Sequence, residues 1–157
     1  MEICNGRESM NSLGPHSFEM EKWISCAPFE KLLNMEIIEA KNGKAVLKMP
    51  FYIQYAQGAG LMHGGALVAL ADTAVVMAIK SILDKGTHFA TIEMSAKFLR
   101  PVIKGFVTAK AEIYEKEGRI LKGKADLFND EGEKVFEFFS IFKIARDAKI
   151  RNISFRG

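Results

Sequence analysis

The chain places one acidic residue in the middle of its most apolar stretch. Asp72 is the only charged residue between Ala66 and Ile79. A buried carboxylate costs free energy unless it is paired or hydrogen-bonded. In such a place it can act as a general base on water or as a nucleophile. The alternative is a structural carboxylate that accepts hydrogen bonds from Thr73 or from the backbone.

Two glycines lie at the start of the same stretch. Gly64 and Gly65 leave the backbone N–H groups of a helix start open to a ligand, and the helix dipole favours negative charge there. These donors suit the oxyanion formed when a carbonyl becomes tetrahedral; alternatively, the pair only allows a tight turn into the helix. Gly65 and Asp72 are about 10 Å apart along a helix axis, which is far for one carbonyl. Two antiparallel copies of the helix would bring them together.

These residues need a helix that protein covers on most sides. Residues 63–83 are apolar nearly all round and are followed by the helix-ending Asp-Lys-Gly of residues 84–86, which predicts one long buried helix. Its apolar part, residues 64–79, is shorter than the roughly 20 residues that span a bilayer. Asp72 at its centre also argues against a membrane segment.

Strand-like alternation lies on both sides of this helix. Before it, the run Lys44–Met49 follows the hairpin turn signal Asn42-Gly43. Short turns join four runs after it, which predicts antiparallel strands that curl around the helix, in the α+β class. The predicted strands after the helix are Phe89–Leu99, Phe106–Glu115, Arg119–Phe128 and Lys134–Ile144, and two short helical pieces are predicted at Met20–Trp23 and Phe29–Leu33.

Composition narrows the class of protein. The 157 residues carry a net charge of +3, and acids and bases alternate along most of the chain, so a nucleic-acid-binding stripe is not predicted. Cys4 and Cys26 lack the spacing of a metal site, and we interpret both as reduced thiols. We predict an arm with a short helix at residues 1–28, one domain at residues 29–145 and a basic tail at residues 146–157.

The motifs of the helix and of the strand after it resemble a known family. Leu61-Met-His-Gly-Gly-Ala-Leu-Val-Ala-Leu-Ala-Asp-Thr-Ala74 is similar to the signature of the phenylacetyl-CoA thioesterase (PaaI-like) branch of the hotdog superfamily. Thr91-Ile-Glu-Met-Ser-Ala-Lys-Phe-Leu-Arg-Pro101 resembles the family's next strand, and the likeness covers roughly residues 29–145. It implies a hotdog fold, in which a curled sheet wraps a central helix.

The resemblance also implies roles for single residues. Asp72 matches the family's catalytic carboxylate, and Gly65, with Gly64, matches the backbone donor that polarises the thioester carbonyl. Gln57 stands six positions before the histidine, where the family often has an asparagine that holds the carbonyl or water. Thr91 falls near a hydroxyl position that orients the nucleophile in some relatives, and its neighbours Glu93 and Ser95 are expected to share its strand face.

The substrate-binding residues are less clearly marked. His63 is expected to brace the helix start, and we place it with Thr73 on the substrate-binding side of the site. Lys97 and Arg100 flank the strand after the helix and suit the phosphates of CoA. The alternative for these two is an ordinary solvated strand edge.

From these features we predict an acyl-CoA thioesterase without a metal or further cofactor. CoA is then part of the substrate, and the protein is expected to be cytoplasmic, without a nucleic acid or membrane partner. The resemblance implies a homo-oligomer, most simply a dimer of dimers. Two alternatives stay open, a non-catalytic acyl-ligand binding module and an enoyl-CoA hydratase of the same fold.

Overall fold

The structure, a computed structural model, describes residues 11–146, and within that range one helix lies against one antiparallel sheet. The sheet has six strands in the order β1-β2-β4-β5-β6-β3. The elements in chain order are α1 Pro28–Leu32, β1 Glu36–Lys41, β2 Lys44–Pro50, α2 Gly64–Lys80, β3 Phe89–Phe98, β4 Phe106–Glu117, β5 Ile120–Phe128 and β6 Lys134–Ile144. This is the helix-wrapping sheet that the sequence predicts.

Helix α2 forms the core with the inner face of the sheet. Three phenylalanines of β6, Phe136, Phe138 and Phe142, are at most 1% exposed beneath it. Gly123 of β5 lets the helix approach closely, because a Cβ there would lie 2.4 Å from the Val75 side chain. None of the helices in residues 11–146 has the length and apolar character needed to cross a lipid bilayer.

The predicted elements agree with the observed ones within a few residues. The strand predicted at residues 134–144 is found at those bounds, whereas the long helix ends at Lys80 rather than near Leu83. Ser81 ends the helix, since its hydroxyl donates to the Ala78 carbonyl at 2.6 Å and accepts the Gly43 N–H at 2.9 Å. The domain bounds at residues 28 and 145 stay predictions, and most of the basic tail lies outside the described residues.

The helical piece predicted at Met20–Trp23 is wrong. This segment forms bends instead, and only the second piece, α1, is helical. The indole of Trp23 donates from Nε1 to the Lys80 carbonyl at 2.9 Å, and the Lys80 ammonium lies 4.8 Å from the centre of its ring. Tertiary contacts with the end of α2 therefore fix this segment, and local helix propensity does not.

A bulge in β3 corrects a second expectation. Thr91 lies opposite Phe142, but Glu93 lies opposite Ile141, so Ile92 is an extra residue in the strand. Residues opposite each other in an antiparallel pair share a face of the sheet. Glu93 and Ser95 therefore lie on the opposite face from Thr91. On the face of Thr91 the strand continues with Met94, Ala96 and Phe98, which lie opposite Ser140, Phe138 and Phe136.

One stripe of α2 is left half-buried by the described residues. It consists of positions that follow each other at helical spacing, Val68, Ala69, Asp72, Val76 and Lys80, whereas most other residues of the helix are buried. Strand β3 lies at the edge of the sheet beside this stripe and pairs only with β6 within residues 11–146. The carboxylate thus lies on the face of the helix that is still accessible.

Candidate active site

The carboxylate of Asp72 is held by a hydroxyl from the edge strand. The Thr91 Oγ1 hydroxyl lies 3.1 Å from Oδ1 and 3.3 Å from Oδ2 of Asp72, to which it donates. Burial raises the pKa of Asp72 above its ordinary value, and the hydrogen bond from Thr91 opposes this rise. A carboxylate with a raised pKa and an accessible face is suited to accept a proton from water near neutral pH.

The structural alternative for Asp72 was a hydrogen bond from Thr73. In the structure the carboxylate accepts from Thr91 instead. Thr73 is 9% exposed and turns into the core side of α2, whereas Asp72 points to the half-buried stripe and to β3. The described contacts therefore do not pair the two neighbours through their side chains. The contact of Thr73 with substrate stays a prediction.

The start of α2 is capped by a histidine. The His63 Nδ1 atom accepts the Gly65 N–H at 2.8 Å, which confirms that His63 braces the helix start. Since that N–H is occupied, the Gly64 N–H is the donor of the glycine pair without a partner among the described residues. The ring of Phe98 lies so close over Gly64 that a Cβ at residue 64 would be 3.0 Å from Phe98 Cε1.

Gln57 lies in a tight loop that precedes this helix start. Its backbone N–H donates to the Leu61 carbonyl at 2.8 Å, and its side-chain oxygen accepts the Ala59 N–H. The bridge between Ala56 and Met62 closes the loop. The side chain is half-buried, and its amide nitrogen has no partner within residues 11–146. Local hydrogen bonds thus hold Gln57, and none of the described contacts joins it to Asp72.

The comparisons with known proteins agree with this geometry. Residues 59–136 match the thioesterase superfamily. This chain belongs to that superfamily. A 1,4-dihydroxy-2-naphthoyl-CoA hydrolase of Listeria monocytogenes is 29% identical over 83 residues, which are 53% of this chain and 68% of that protein.

Solved structures place the chain in the same fold. The E. coli PaaI protein from the phenylacetic acid degradation operon has a TM-score of 0.71 at 28% identity, covering 76% of this chain and 85% of that one. A Staphylococcus aureus thioesterase has a TM-score of 0.73 at 24% identity, covering 75% of this chain and 98% of that one.

Membership of the superfamily confirms the predicted PaaI-like hotdog family and fold, and supports the predicted enzyme class, a thioester hydrolase. The matches cover between 45% and 73% of the curated relatives' own lengths. The activity of the whole protein, its acyl group and its partners are therefore matters of proposal.

The two basic residues assigned to CoA phosphates lie on the surface of this superfamily member. Lys97 is exposed on β3. Arg100 follows the strand and forms a 3.0 Å ion pair with Glu133, in which both side chains are largely solvent-accessible. An exposed pair of this kind contributes little to stability, so exchange of Glu133 for a phosphate would cost little. The structure neither adds to nor removes the role predicted for them.

A cavity beside Thr91 was not found by the sequence reasoning. It measures about 300 Å³ and lies between the last turns of α2, the start of β3, the end of β6 and the segment around Trp23. Val76, Phe89 and Phe142 supply apolar walls, and Lys80 lies at its edge. The signal that could have found it is Lys80 itself, a lysine eight positions after Asp72 on the same helical stripe.

Proposed function

We propose that this protein hydrolyses acyl-CoA thioesters with Asp72 as the catalytic carboxylate. The observation that carries the proposal is the hydrogen bond between Asp72, on the accessible stripe of an otherwise buried helix, and Thr91, which lines the neighbouring cavity. Partial burial of a carboxylate there costs solvation free energy, and a catalytic role for Asp72 explains why an acidic residue stands at this position. The Listeria relative acts on a CoA thioester, which supports the same substrate class.

The reaction proceeds through water in this account. Asp72 takes a proton from a water molecule as its oxygen bonds to the thioester carbonyl carbon. The resulting oxyanion accepts hydrogen bonds from backbone N–H groups at a helix start. The intermediate then expels the CoA sulfur, which takes up the proton from Asp72. The products are the free carboxylic acid and CoA thiol. Direct attack by the Asp72 carboxylate is the other route open to the same group.

The oxyanion donor comes from a second copy in this proposal. Gly64 and Asp72 are eight residues apart on one helix, about 12 Å along its axis, which is too far for one carbonyl group. Gly64 of a partner subunit, whose helix runs antiparallel to this one, would bring the unoccupied N–H to the carbonyl. Gln57, in the loop that leads into the same helix start, is then placed to donate from its free amide nitrogen.

The edge strand β3 offers the surface for this second copy. Among its side chains, Ile92 is 56% exposed and Met94 is 45% exposed, and Phe98 is 60% exposed. An apolar edge strand pairs readily with another strand. Pairing of β3 with its own copy would cover these residues and bring two α2 helices side by side. A further pairing of such dimers would give the homotetramer predicted from the sequence.

Binding of the CoA part is assigned to the outer end of β3. Lys97 and Arg100 lie there on the exposed surface and supply positive charge for phosphates. They lie at the end of β3 where the Phe98 ring covers Gly64, with Lys97 on the opposite face of the strand from Phe98, so CoA phosphates bound there would lie near the helix start. His63 would border the substrate at the helix start, whereas Thr73 turns into the core side of α2 and its predicted contact with substrate has no support from the described contacts.

Thiol release from a panel of acyl-CoA thioesters tests the proposal. The wild type is expected to release CoA thiol from at least one of them, and Asp72→Asn is expected to release it at least 100-fold more slowly. Asp84→Asn, which neutralises an exposed acid beyond the helix, serves as the matched control. Acyl-CoA binding without turnover by the wild type would instead identify a binding module.

A further inference from the structure

Lys80 is the lysine of the described residues that lines the cavity beside Thr91. It is half-buried at the end of α2, and its ammonium lies 4.8 Å from the centre of the Trp23 ring. Within residues 11–146 its Nζ forms neither an ion pair within 4 Å nor a hydrogen bond, although an ammonium has three donors. Lysines at helix ends usually extend their charge into solvent, whereas this one lies along a cavity.

The cavity extends from Lys80 to Thr91, the residue that donates a hydrogen bond to the reacting carboxylate. Asp72, Val76 and Lys80 follow each other at four-residue spacing on the accessible stripe, so the lysine lies about 12 Å beyond Asp72 along the helix axis. Thr91 both donates to Asp72 and lines the cavity. A thioester carbonyl placed at Asp72 would therefore extend its acyl group past Val76 towards Lys80.

The size of the cavity limits the acyl group. About 300 Å³ is roughly twice the volume of an engineered apolar cavity that binds benzene. One aromatic ring with its substituents, or a short aliphatic chain, fills such a space. Phe89 and Phe142 lie in its wall with ring centres 6.0 Å apart and ring planes tilted by 59°, and aromatic side chains suit contact with a flat group.

We infer that Lys80 is a specificity-determining residue, whose ammonium donates a hydrogen bond to an oxygen at the end of the acyl group remote from the thioester. This inference rests on the proposed thioester hydrolysis and names a residue that selects its substrate. The oxygen belongs to either a hydroxyl or a carboxylate, since both accept from an ammonium.

The electrostatics around Lys80 agree with this assignment. Burial lowers the pKa of Lys80, and the nearby Glu30 carboxylate opposes this by raising it. Glu30 lies beyond ion-pair distance, so it balances part of the charge without using the ammonium's donors. A ligand oxygen would supply the acceptor that the described protein atoms do not supply, and removing such a bond to a charged donor is costly.

A purely structural role for Lys80 must be separated from this one. Its contact with Trp23 would hold the N-terminal segment against α2 whether or not a ligand binds. Such a role would affect stability and all substrates equally. A role in recognition affects the ratio between a substrate with the oxygen and its parent without it.

Three thioesters with a common ring distinguish these roles: phenylacetyl-CoA, 4-hydroxyphenylacetyl-CoA and 4-carboxyphenylacetyl-CoA. We expect the wild type to have a kcat/KM about tenfold higher for at least one oxygen-bearing substrate than for phenylacetyl-CoA. The hydroxyl and carboxylate substrates show which oxygen is recognised. Lys80→Met should bring the ratio near one, and Lys80→Arg, which keeps the charge and the donors, should restore much of it.

The control removes a lysine that is exposed and does not line the cavity. Lys85→Met is expected to leave the wild-type ratio unchanged. A wild-type ratio of one, or a ratio that Lys80→Met leaves intact, would overturn the inference while the proposed hydrolysis stands. Absence of thiol release from all three substrates, and from the wider panel, would overturn the proposed function and this inference with it.

Discussion

The Thr91 hydroxyl lies 3.1 Å and 3.3 Å from the two carboxylate oxygens of Asp72. This contact joins the edge strand β3 to the accessible stripe of α2. The Asp72 side chain is thereby fixed in direction, and its charged form is favoured against the desolvation that burial imposes. The position of β3 therefore controls both the orientation and the proton affinity of the carboxylate.

Replacement of Thr91 by valine removes this donor with little change in volume. The pKa of Asp72 should then rise further, because burial acts without the opposing hydrogen bond. The acidic limb of the pH profile of kcat/KM should move to higher pH, and kcat/KM near neutral pH should fall about tenfold. Thr91→Ser, which keeps the hydroxyl, should return the limb towards the wild-type position. An unchanged limb in Thr91→Val would show that the hydroxyl does not act on the carboxylate.

Asp72→Asn should stabilise the protein near neutral pH while it abolishes hydrolysis. The folded-state pKa of Asp72 is raised, so the folded protein binds this proton to higher pH than the unfolded chain does. The free energy of unfolding therefore falls as pH rises from the ordinary carboxyl pKa through the raised one. Asparagine lacks this loss, so the variant should gain stability at pH 7 and lose that gain towards pH 4.

Thermal unfolding at the two pH values measures this difference. Asp84→Asn, at an exposed acid, should show no comparable gain at pH 7. A wild type that is more stable than Asp72→Asn at pH 7 would contradict the assignment of Asp72 as a carboxylate held at a cost in stability.

His63 is expected to stabilise the helix start through its side-chain acceptor. His63→Ala leaves the Gly65 N–H without its 2.8 Å bond and should lower stability by about 1 kcal/mol, or the melting temperature by about 2–4 °C. His63→Asn supplies another N-cap acceptor and should retain most of the stability. Equal losses in both variants would indicate that the imidazole acts through packing instead.

Two expectations from the sequence failed because long-range contacts or irregular pairing decide the outcome. The predicted helix at residues 20–23 gives way to bends that the Trp23–Lys80 contacts hold. Glu93 lies on the opposite face of β3 from the one predicted, because Ile92 is an extra residue in the strand. A shift of one residue moves every later side chain to the other face of the sheet. Local patterning cannot report either effect.

The helix and strands were predictable because the spacing of apolar and polar residues along each local segment indicates the type of element. Asp72 stood out because it interrupts an apolar run, and His63 because it precedes two glycines at a helix start. The cavity was not predictable in the same way, since Phe89 and Phe142 reach it from strands more than fifty residues apart along the chain. Only the folded sheet brings them beside Lys80.

Self-association through β3 should depend on the apolar character of its edge. Ile92→Lys places a charge on this strand and should break the β3-paired dimer and so lower the mass of the assembly, with a matching loss of activity because the oxyanion donor comes from the second copy. Tyr114→Lys, at a side chain 51% exposed on β4, is the control and should leave the β3 pairing intact. Sedimentation velocity measures the assembly, and a fully active wild-type monomer would contradict the shared site.

Single-turnover thiol release by the wild type and by Asp72→Asn on the same acyl-CoA tests most directly whether the Asp72 carboxylate drives hydrolysis. We predict rapid release by the wild type and a rate at least 100-fold lower in the variant, with acyl-CoA binding retained. A variant that turns over at the wild-type rate would contradict a catalytic role for Asp72.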